Sequence, residues 1–195
     1  MSLVPDVPPG ADQAVRELAH RWLPTAFWAF HEQNYRIYKG YAELQLGDAG
    51  AAGKLVHQVM NDLAISWHEL MREEAPEATA WAVLRLAIAQ RLKAEGRRPA
   101  LPETAAFRRV VLEVFRDRFA VLESGLGLYA AIARLPERQY DVIVLQYVLG
   151  HTPRQVADIM GIALPTVRSH RKVARLKLAN DLGVSFDADH DDKED

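Results

Sequence analysis

The chain has 195 residues, of which 49% are hydrophobic and 26% are charged, a composition typical of one globular domain or two small ones. It contains no cysteine, which excludes disulfide bonds, thiol nucleophiles and thiolate metal sites. No apolar stretch reaches the roughly 18 residues of a membrane-spanning helix, and no signal-peptide pattern opens the chain, so we expect a soluble, cytoplasmic protein.

The net charge of -2 conceals a strong separation of charge along the chain. Residues 1–96 carry 9 basic and 12 acidic side chains, residues 97–180 carry 14 and 7, and residues 181–195 carry 1 and 7. The three segments therefore have net charges of -3, +7 and -6. A basic segment of this kind favours an anionic partner such as nucleic acid, which the total charge alone would not suggest.

Prolines and a glycine predict a flexible leader at residues 1–11, because proline has no backbone N–H to donate within a helix. Apolar residues then recur at spacings of three and four, which predicts a first domain of three amphipathic helices within residues 12–96. The apolar faces run from Phe27 to Leu44, from Leu55 to Leu70 and from Trp81 to Leu92. We expect breaks between them at Gly47–Gly53 and at Glu73–Glu77.

The sequence GRRPALP at residues 96–102 is the strongest linker signal, and we assign residues 97–127 to a linker with a connecting helix from Phe107 to Val121. A second domain follows at residues 128–182, and residues 183–195 form an acidic tail too polar to fold. No segment alternates as a strand does. The sequence thus predicts an all-α fold of two small helical domains, whose second domain contains helices at about Pro136–Leu149, Pro153–Met160 and Pro165–Leu178.

The spacing within residues 153–172 predicts a helix-turn-helix. Ala157 is small where a second helix must approach closely, and Gly161 supplies the positive φ of a sharp turn. Ile162 and Val167 would fill the angle between the two helices. Pro165 suits the first turn of a helix, where its missing N–H costs nothing.

The helix from Pro165 to Leu178 is basic and has no acidic residue, as expected of a recognition helix. Early side chains of such a helix reach base edges, whereas later ones contact phosphates. We assign Thr166, Arg168, Ser169 and His170 to the floor of the groove, together with Pro165 at the start of the helix. We assign Arg171, Lys172 and Arg175 mostly to contacts with the DNA backbone. The alternative is a solvated basic face on a structural helix, which the helix-turn-helix spacing disfavours.

Residues 128–180 resemble region 4 of bacterial sigma factors, the module that binds the upstream promoter element. The resemblance lies in LPERQ at the start of one helix, LQYVLG at its end and TVRSH at the start of the recognition helix, in the order that the family shows. The family usually has an apolar residue where Arg171 stands. This departure predicts a difference in the packing of the helix or in its angle in the groove.

The first half resembles sigma region 2, through FWAFHEQNYRIYKGYAELQLGD, AAGKLVHQVMNDLAISW and ATAWAVLRLAIAQRL. Together with the small size of the chain, this indicates the extracytoplasmic-function group. The resemblance implies polymerase binding by Leu55, Val56, His57, Gln58 and Asn61. It also implies base stacking by Trp81 and contacts with the downstream promoter element by Arg85, Gln90, Arg91, Lys93, Arg97 and Arg98. The alternative is that Trp81 is a core residue and the others are ordinary surface side chains.

Region 2 departs from the family pattern at two places. Gly53 and Lys54 stand where the family commonly has acidic residues, and the loop expected to capture an unstacked base reads HELMREEAPEA. An acidic loop repels phosphate, which predicts weak or highly selective promoter melting, or dependence on a further protein.

The chain is accordingly interpreted as a sigma factor that binds core RNA polymerase and double-stranded promoter DNA, with no catalytic residue, cofactor or metal of its own. An anti-sigma factor is a further candidate partner. His68-Glu69 begins like a zinc-protease motif, but Arg72 stands where the second histidine belongs. Two alternatives stay open, namely a LuxR-type transcriptional regulator, which TVRSH and LPERQ also resemble, and a degenerate sigma-like interaction module.

The acidic tail suggests a further hypothesis, that it competes with phosphate for the basic segment of the chain. Deleting residues 187–195 would then raise the affinity for non-specific DNA. An unchanged affinity would count against this role.

Overall fold

The computed structural model describes residues 23–98 and 126–183. The predicted leader, the helix from Phe107 to Val121 and the acidic tail beyond Gly183 lie outside the described residues. Within them, the chain forms eight α-helices and one π-helical segment, and no strand occurs, which confirms the all-α prediction for this part of the chain. The helices are α1 (Thr25–Leu46), α2 (Ala49–Ile65), α3 (Trp67–Leu70), α4 (Pro76–Ala94), α5 (Leu126–Ala133), α6 (Glu137–Ile143), α7 (Pro153–Met160) and α8 (Leu164–Leu182).

The connection between α1 and α2 is shorter than the sequence suggested. Gly47 ends α1 in the left-handed region, with φ 70°. Asp48 begins α2 as its N-cap, accepting a hydrogen bond from the N–H of Ala51 at 2.5 Å. The predicted break at Gly47–Gly53 is therefore wrong beyond Asp48, because the cap starts the helix at once and carries two glycines inside it. The two helices pack along each other as a helical hairpin.

The apolar run from Leu55 to Leu70 is divided between two helices. The Oγ of Ser66 donates to the carbonyl of Asp62 at 3.0 Å, at the end of α2, and the short helix α3 follows. A turn then leads to α4, which begins with Pro76 in its first turn. The predicted break around Pro76 is confirmed.

The helices of the second half begin within one residue of their predicted starts, and two of them differ in extent. The predicted helix from about Pro136 to Leu149 consists of α6 followed by a π-helical segment, Val144–Val148. Helix α7 has the predicted bounds, whereas α8 continues to Leu182, where Gly183 ends it with φ 66°.

The buried residues of both halves form one continuous hydrophobic cluster. Its contributors from the first half include Trp81 and Leu84 of α4, and those from the second include Val142 of α6 and Met160 of α7. Helix α4 packs against α7, so the first half and the helix-turn-helix touch directly. None of the helices in the described residues is both long and apolar enough to cross a bilayer.

Candidate nucleic-acid interface

Helix α7 has a complete capping box at its start. The backbone N–H of Gln155 donates to Oγ1 of Thr152 at 3.3 Å, and the N–H of Thr152 donates to Oε1 of Gln155 at 2.9 Å. Pro153 occupies the first turn, where a proline costs no hydrogen bond. Two N–H groups that a helix end leaves unsatisfied are thus paired reciprocally, which fixes where the first helix of the motif begins.

The turn after α7 requires a glycine for two separate reasons. Gly161 has φ 60°, a conformation that side chains with a Cβ rarely adopt, and its N–H donates to the carbonyl of Ala157. In addition, a Cβ at this position would lie 2.2 Å from the backbone nitrogen of Ala78 at the start of α4. The glycine that turns the motif therefore also lets the first half approach it.

Helix α8 presents an exposed polar face over its first two turns. Val167 faces inward and is 1% exposed, and Ile162 is half-buried, as the packing of the turn required. His170 is also half-buried. The outward residues are Pro165, Thr166, Arg168, Ser169 and Lys172, all of them exposed. The first turn of α8 contains no acidic residue, so its exposed end is suited to an anionic ligand.

The structure corrects the assignment of Arg171 and Arg175 to the DNA backbone. Their exposed fractions are 3% and 7%, which places them on the inward face of α8 with Val167 and Leu178. The cause is helical spacing, because steps of three and four residues from Val167 return to the packed side. Arg171 thus takes the inward position where sigma region 4 usually has an apolar residue.

Trp81 and Arg85 of α4, predicted to contact the downstream element, point instead into the contact between the two halves. Trp81 is 1% exposed and packs edge-to-face on Tyr41, with ring centroids 4.7 Å apart. Its indole N–H donates to Oδ2 of Asp141 at 3.1 Å, and Arg85 donates to the same oxygen at 3.0 Å. The predicted stacking by Trp81 is therefore corrected for this conformation because its ring is buried, whereas Arg85 is half-buried and engaged by a carboxylate of the second half.

The other residues predicted for the downstream element lie near the end of α4. Arg91 and Arg97 both pair with Glu95, and their guanidinium groups lower the pKa of that carboxyl. Arg97 also donates to the carbonyl of Leu46 at 2.7 Å, at the end of α1. The remaining residues of this set, Gln90, Lys93 and Arg98, are exposed.

Sequence reasoning missed Asp141, a fully buried carboxylate on α6. Besides Trp81 and Arg85, the hydroxyl of Tyr41 donates to its Oδ1 at 2.7 Å. Burial raises the pKa of Asp141, while the Arg85 charge and the hydrogen bonds from Tyr41 and Trp81 act in the opposite direction. The available signal was a single aspartate set among the apolar residues of YDVIVL, within the most basic part of the chain.

Two further contacts extend the junction between α6 and the first half. The side-chain amide Nε2 of Gln45 donates to the hydroxyl of Tyr140 at 2.9 Å, and that hydroxyl donates to Oε1 of Gln45 at 3.1 Å. Arg85 also pairs with Glu137, at the start of α6. A cavity of about 290 Å³ lies beside these groups, lined by side chains of both halves.

The residues predicted to bind polymerase divide between the surface and the core of α2. His57 and Gln58 are exposed, whereas Leu55 and Asn61 are half-buried. Val56 is fully buried and faces the core, so the structure corrects its assignment as a direct contact. Among the described residues, no three side chains of His, Asp or Glu come together as metal ligands.

Comparison with known protein families identifies the second half. Residues 126–178 match the family model described as sigma-70, region 4, and this segment contains α5 to most of α8, including the helix-turn-helix. A search of curated proteins found no match to the chain. The match covers 53 of the 195 residues, and it supports a role for this segment as the DNA-binding domain of a sigma factor or of another transcriptional regulator.

Proposed function

We propose that the chain is a sigma factor of the extracytoplasmic-function type that acts in the cytoplasm, because residues 126–178 match sigma-70 region 4. It binds core RNA polymerase and directs it to a promoter, where α8 reads the upstream element. We assign it no chemistry, cofactor or metal of its own. An anti-sigma factor remains a candidate partner, as the resemblance to this group implies.

The observation that carries the proposal is the exposed face of α8 within the matched segment. Thr166, Arg168 and Ser169 lie on the first turns, where the side chains of a recognition helix reach base edges. Lys172 follows one turn later, at a position suited to a phosphate. This face combines hydrogen-bonding groups with positive charge, which major-groove recognition requires.

For the polymerase, we propose that the exposed side of α2 is the contact, with His57 and Gln58 at its centre and Leu55 and Asn61 at its margin. The first half resembles sigma region 2, in which the corresponding helix binds the polymerase clamp. The buried Val56 holds α2 on the core and supports this surface from beneath.

The degenerate interaction module is the second candidate function, and α4 is the observation that favours it. Trp81 and Arg85 are engaged by Asp141, so the surface proposed for promoter melting is covered in this conformation. The LuxR-type regulator remains the third candidate, because its DNA-binding domain would also use the exposed face of α8.

Run-off transcription with purified core polymerase and a promoter library, alongside a core-binding assay, separates these candidates. Initiation supports the sigma factor. Core binding without initiation supports the interaction module, and DNA binding without core binding supports the LuxR-type regulator. Each of the last two results would contradict the proposal.

A double variant tests the polymerase surface within the same assays. We expect His57→Ala with Gln58→Ala to weaken core binding and to leave DNA binding by the isolated chain unchanged, because both side chains lie on α2, outside the helix-turn-helix. Glu43→Ala, an exposed substitution on α1, is the matched control. Equal core binding by the double variant and the control would remove α2 from the interface.

A further inference from the structure

We propose that the junction between the two halves is a latch that holds the chain in a closed, weakly DNA-binding state, with Asp141 as its central residue. This inference rests on the proposed function, because it concerns the DNA binding assigned to α8. It adds a regulatory contact within the chain itself.

Among the described residues, the hydrogen-bond donors to Asp141 come from the first half of the molecule. Tyr41 belongs to α1, and Trp81 and Arg85 belong to α4, whereas Asp141 lies on α6 within the region 4 domain. A carboxylate whose hydrogen-bond donors all lie elsewhere in the sequence contributes little to the stability of the helix that carries it. Its role is to fix the region 4 domain against the first half.

The latch covers the surface of α4 that was expected to meet DNA. With the halves in contact, Trp81 is 1% exposed and Arg85 lies between Asp141 and Glu137. Separation of the halves would release the guanidinium of Arg85 from both carboxylates. The closed state thus withholds from a phosphate a cation that region 2 would use.

The latch also places negative charge beside the helix-turn-helix. The turn at Gly161 contacts the backbone of Ala78, and Glu77 precedes that residue in the first turn of α4. Glu73 and Glu74 stand in the exposed turn just before α4. In helix-turn-helix proteins the first helix crosses the DNA backbone, so carboxylates near this turn repel phosphates there.

The junction has a polar centre within apolar packing, and water could also satisfy the polar groups at that centre. Its centre consists of Asp141 with three polar donors and of the Gln45–Tyr140 pair, rather than of apolar side chains alone.

The experiment measures closure and DNA binding in the same full-length chain. Because the protein contains no cysteine, Lys54→Cys on α2 and Asn180→Cys on α8 give two unique labelling positions, both exposed. A distance distribution between spin labels at these positions reports whether the halves are in contact. Mixed-sequence double-stranded DNA at one fixed salt concentration is the binding probe.

Asp141→Asn is the principal variant, because it keeps the shape of the side chain and removes its charge. Its amide NH₂ is a donor, so it cannot accept the hydrogen bonds that Trp81 and Arg85 give to Oδ2 of Asp141. We expect it to lengthen and broaden the distance distribution and to raise DNA affinity by about tenfold or more, as removal of one member of a buried ion pair shifts the closed state. Asp181→Asn removes an equal charge from an exposed position on α8 and is the matched control. We expect the control to stay closed and to bind DNA nearly as the parent chain does.

Tyr41→Phe approaches the latch from the other half and guards against a folding defect in the first variant. It removes one hydrogen bond to Asp141 and preserves the aromatic packing on Trp81, so we expect a smaller change in the same direction. Circular dichroism of each variant checks that the helices remain.

The outcomes separate the latch from the function on which it rests. Opening accompanied by a gain in DNA affinity supports the latch. Opening without that gain, or an unchanged distance in both Asp141→Asn and Tyr41→Phe, overturns it while DNA binding by the parent chain stands. Failure of every variant to bind DNA overturns the proposed function together with the latch.

Discussion

Helices α4 and α8 have the same length, 19 residues, and both begin with a proline in the first turn, yet they present their basic side chains differently. On α4, Arg85 meets Glu137 and Asp141, and Arg91 meets Glu95. On α8, Arg168 and Lys172 are exposed, and the helix contains no acidic residue before Asp181. A row of basic residues therefore does not identify a DNA-binding helix until the positions of the nearby carboxylates are known.

The largest expected effect concerns Trp81, whose buried side chain packs on Tyr41. We expect Trp81→Ala to lower the free energy of unfolding by about 3–5 kcal/mol, because it removes a fully buried aromatic side chain. Urea denaturation followed by circular dichroism measures this change. The exposed Ser169→Ala should leave stability within about 0.5 kcal/mol of the parent chain.

A small effect for Trp81→Ala would contradict its placement in the core. It would return the residue to the DNA-binding role that the resemblance to region 2 implied.

The next largest effect concerns the capping box of α7. A substitution there shows how much this cap contributes to the stability of the protein. We expect Thr152→Ala to destabilise the protein by about 1 kcal/mol, since the N–H of Gln155 loses its partner. Thr166→Ala is the control, because Ala163, rather than Thr166, is the N-cap of α8. Equal thermal stability of the two variants would show that the cap contributes nothing.

The contrast between Arg171 and Lys172 sharpens the comparison within α8 itself. We expect Lys172→Met to reduce the slope of log affinity against log salt concentration by about 1, because an exposed cation releases a counterion when it meets a phosphate. Arg171→Met should leave that slope unchanged, since Arg171 is 3% exposed. DNA-binding titrations at several salt concentrations measure both slopes.

If Arg171→Met reduced the slope and Lys172→Met did not, α8 would be rotated about its axis relative to the structure. The exposed face would then have to be assigned again.

The smallest expected effect is a pH dependence that arises from one half-buried histidine in each half of the molecule. Burial, followed by the charge of His57, lowers the pKa of His31 from 6.5, and burial also lowers the pKa of His151. The unfolded chain therefore binds more protons than the folded one as pH falls through about 6.5, so stability declines in that direction. We expect His31→Gln to weaken the decline in thermal stability between pH 7.5 and pH 5.5.

His151→Gln should weaken the decline as well, through burial alone. A pH dependence unchanged in both variants would contradict the assignment to these histidines.

Sequence patterns were most successful where local chemistry decides the structure. The prolines Pro76 and Pro153 and the turn at Gly161 each act within one helical turn, and each predicted boundary agrees with the structure. The apolar periodicity likewise indicated the packed faces of α1, α2 and α4. The bounds of α7 follow from these local signals alone.

The errors arose where contacts distant in sequence decide the structure. Trp81 and Asp141 are 60 residues apart, and their hydrogen bond depends on how the two halves pack. Arg171 and Arg175 were assigned by charge, whereas helical spacing from Val167 places them inward. Charge indicates which residues carry a functional group, but the packed face decides which of these groups reach a ligand.

The most direct test of the account is the sequence preference of α8, measured by selection from a random double-stranded DNA library. We predict that Arg168→Ala changes the preferred bases at defined positions and that Lys172→Ala lowers affinity equally for all sequences. These outcomes would assign Arg168 to base reading and Lys172 to phosphate binding. Altered preference in Lys172→Ala, with a uniform loss in Arg168→Ala, would contradict the orientation of the recognition helix.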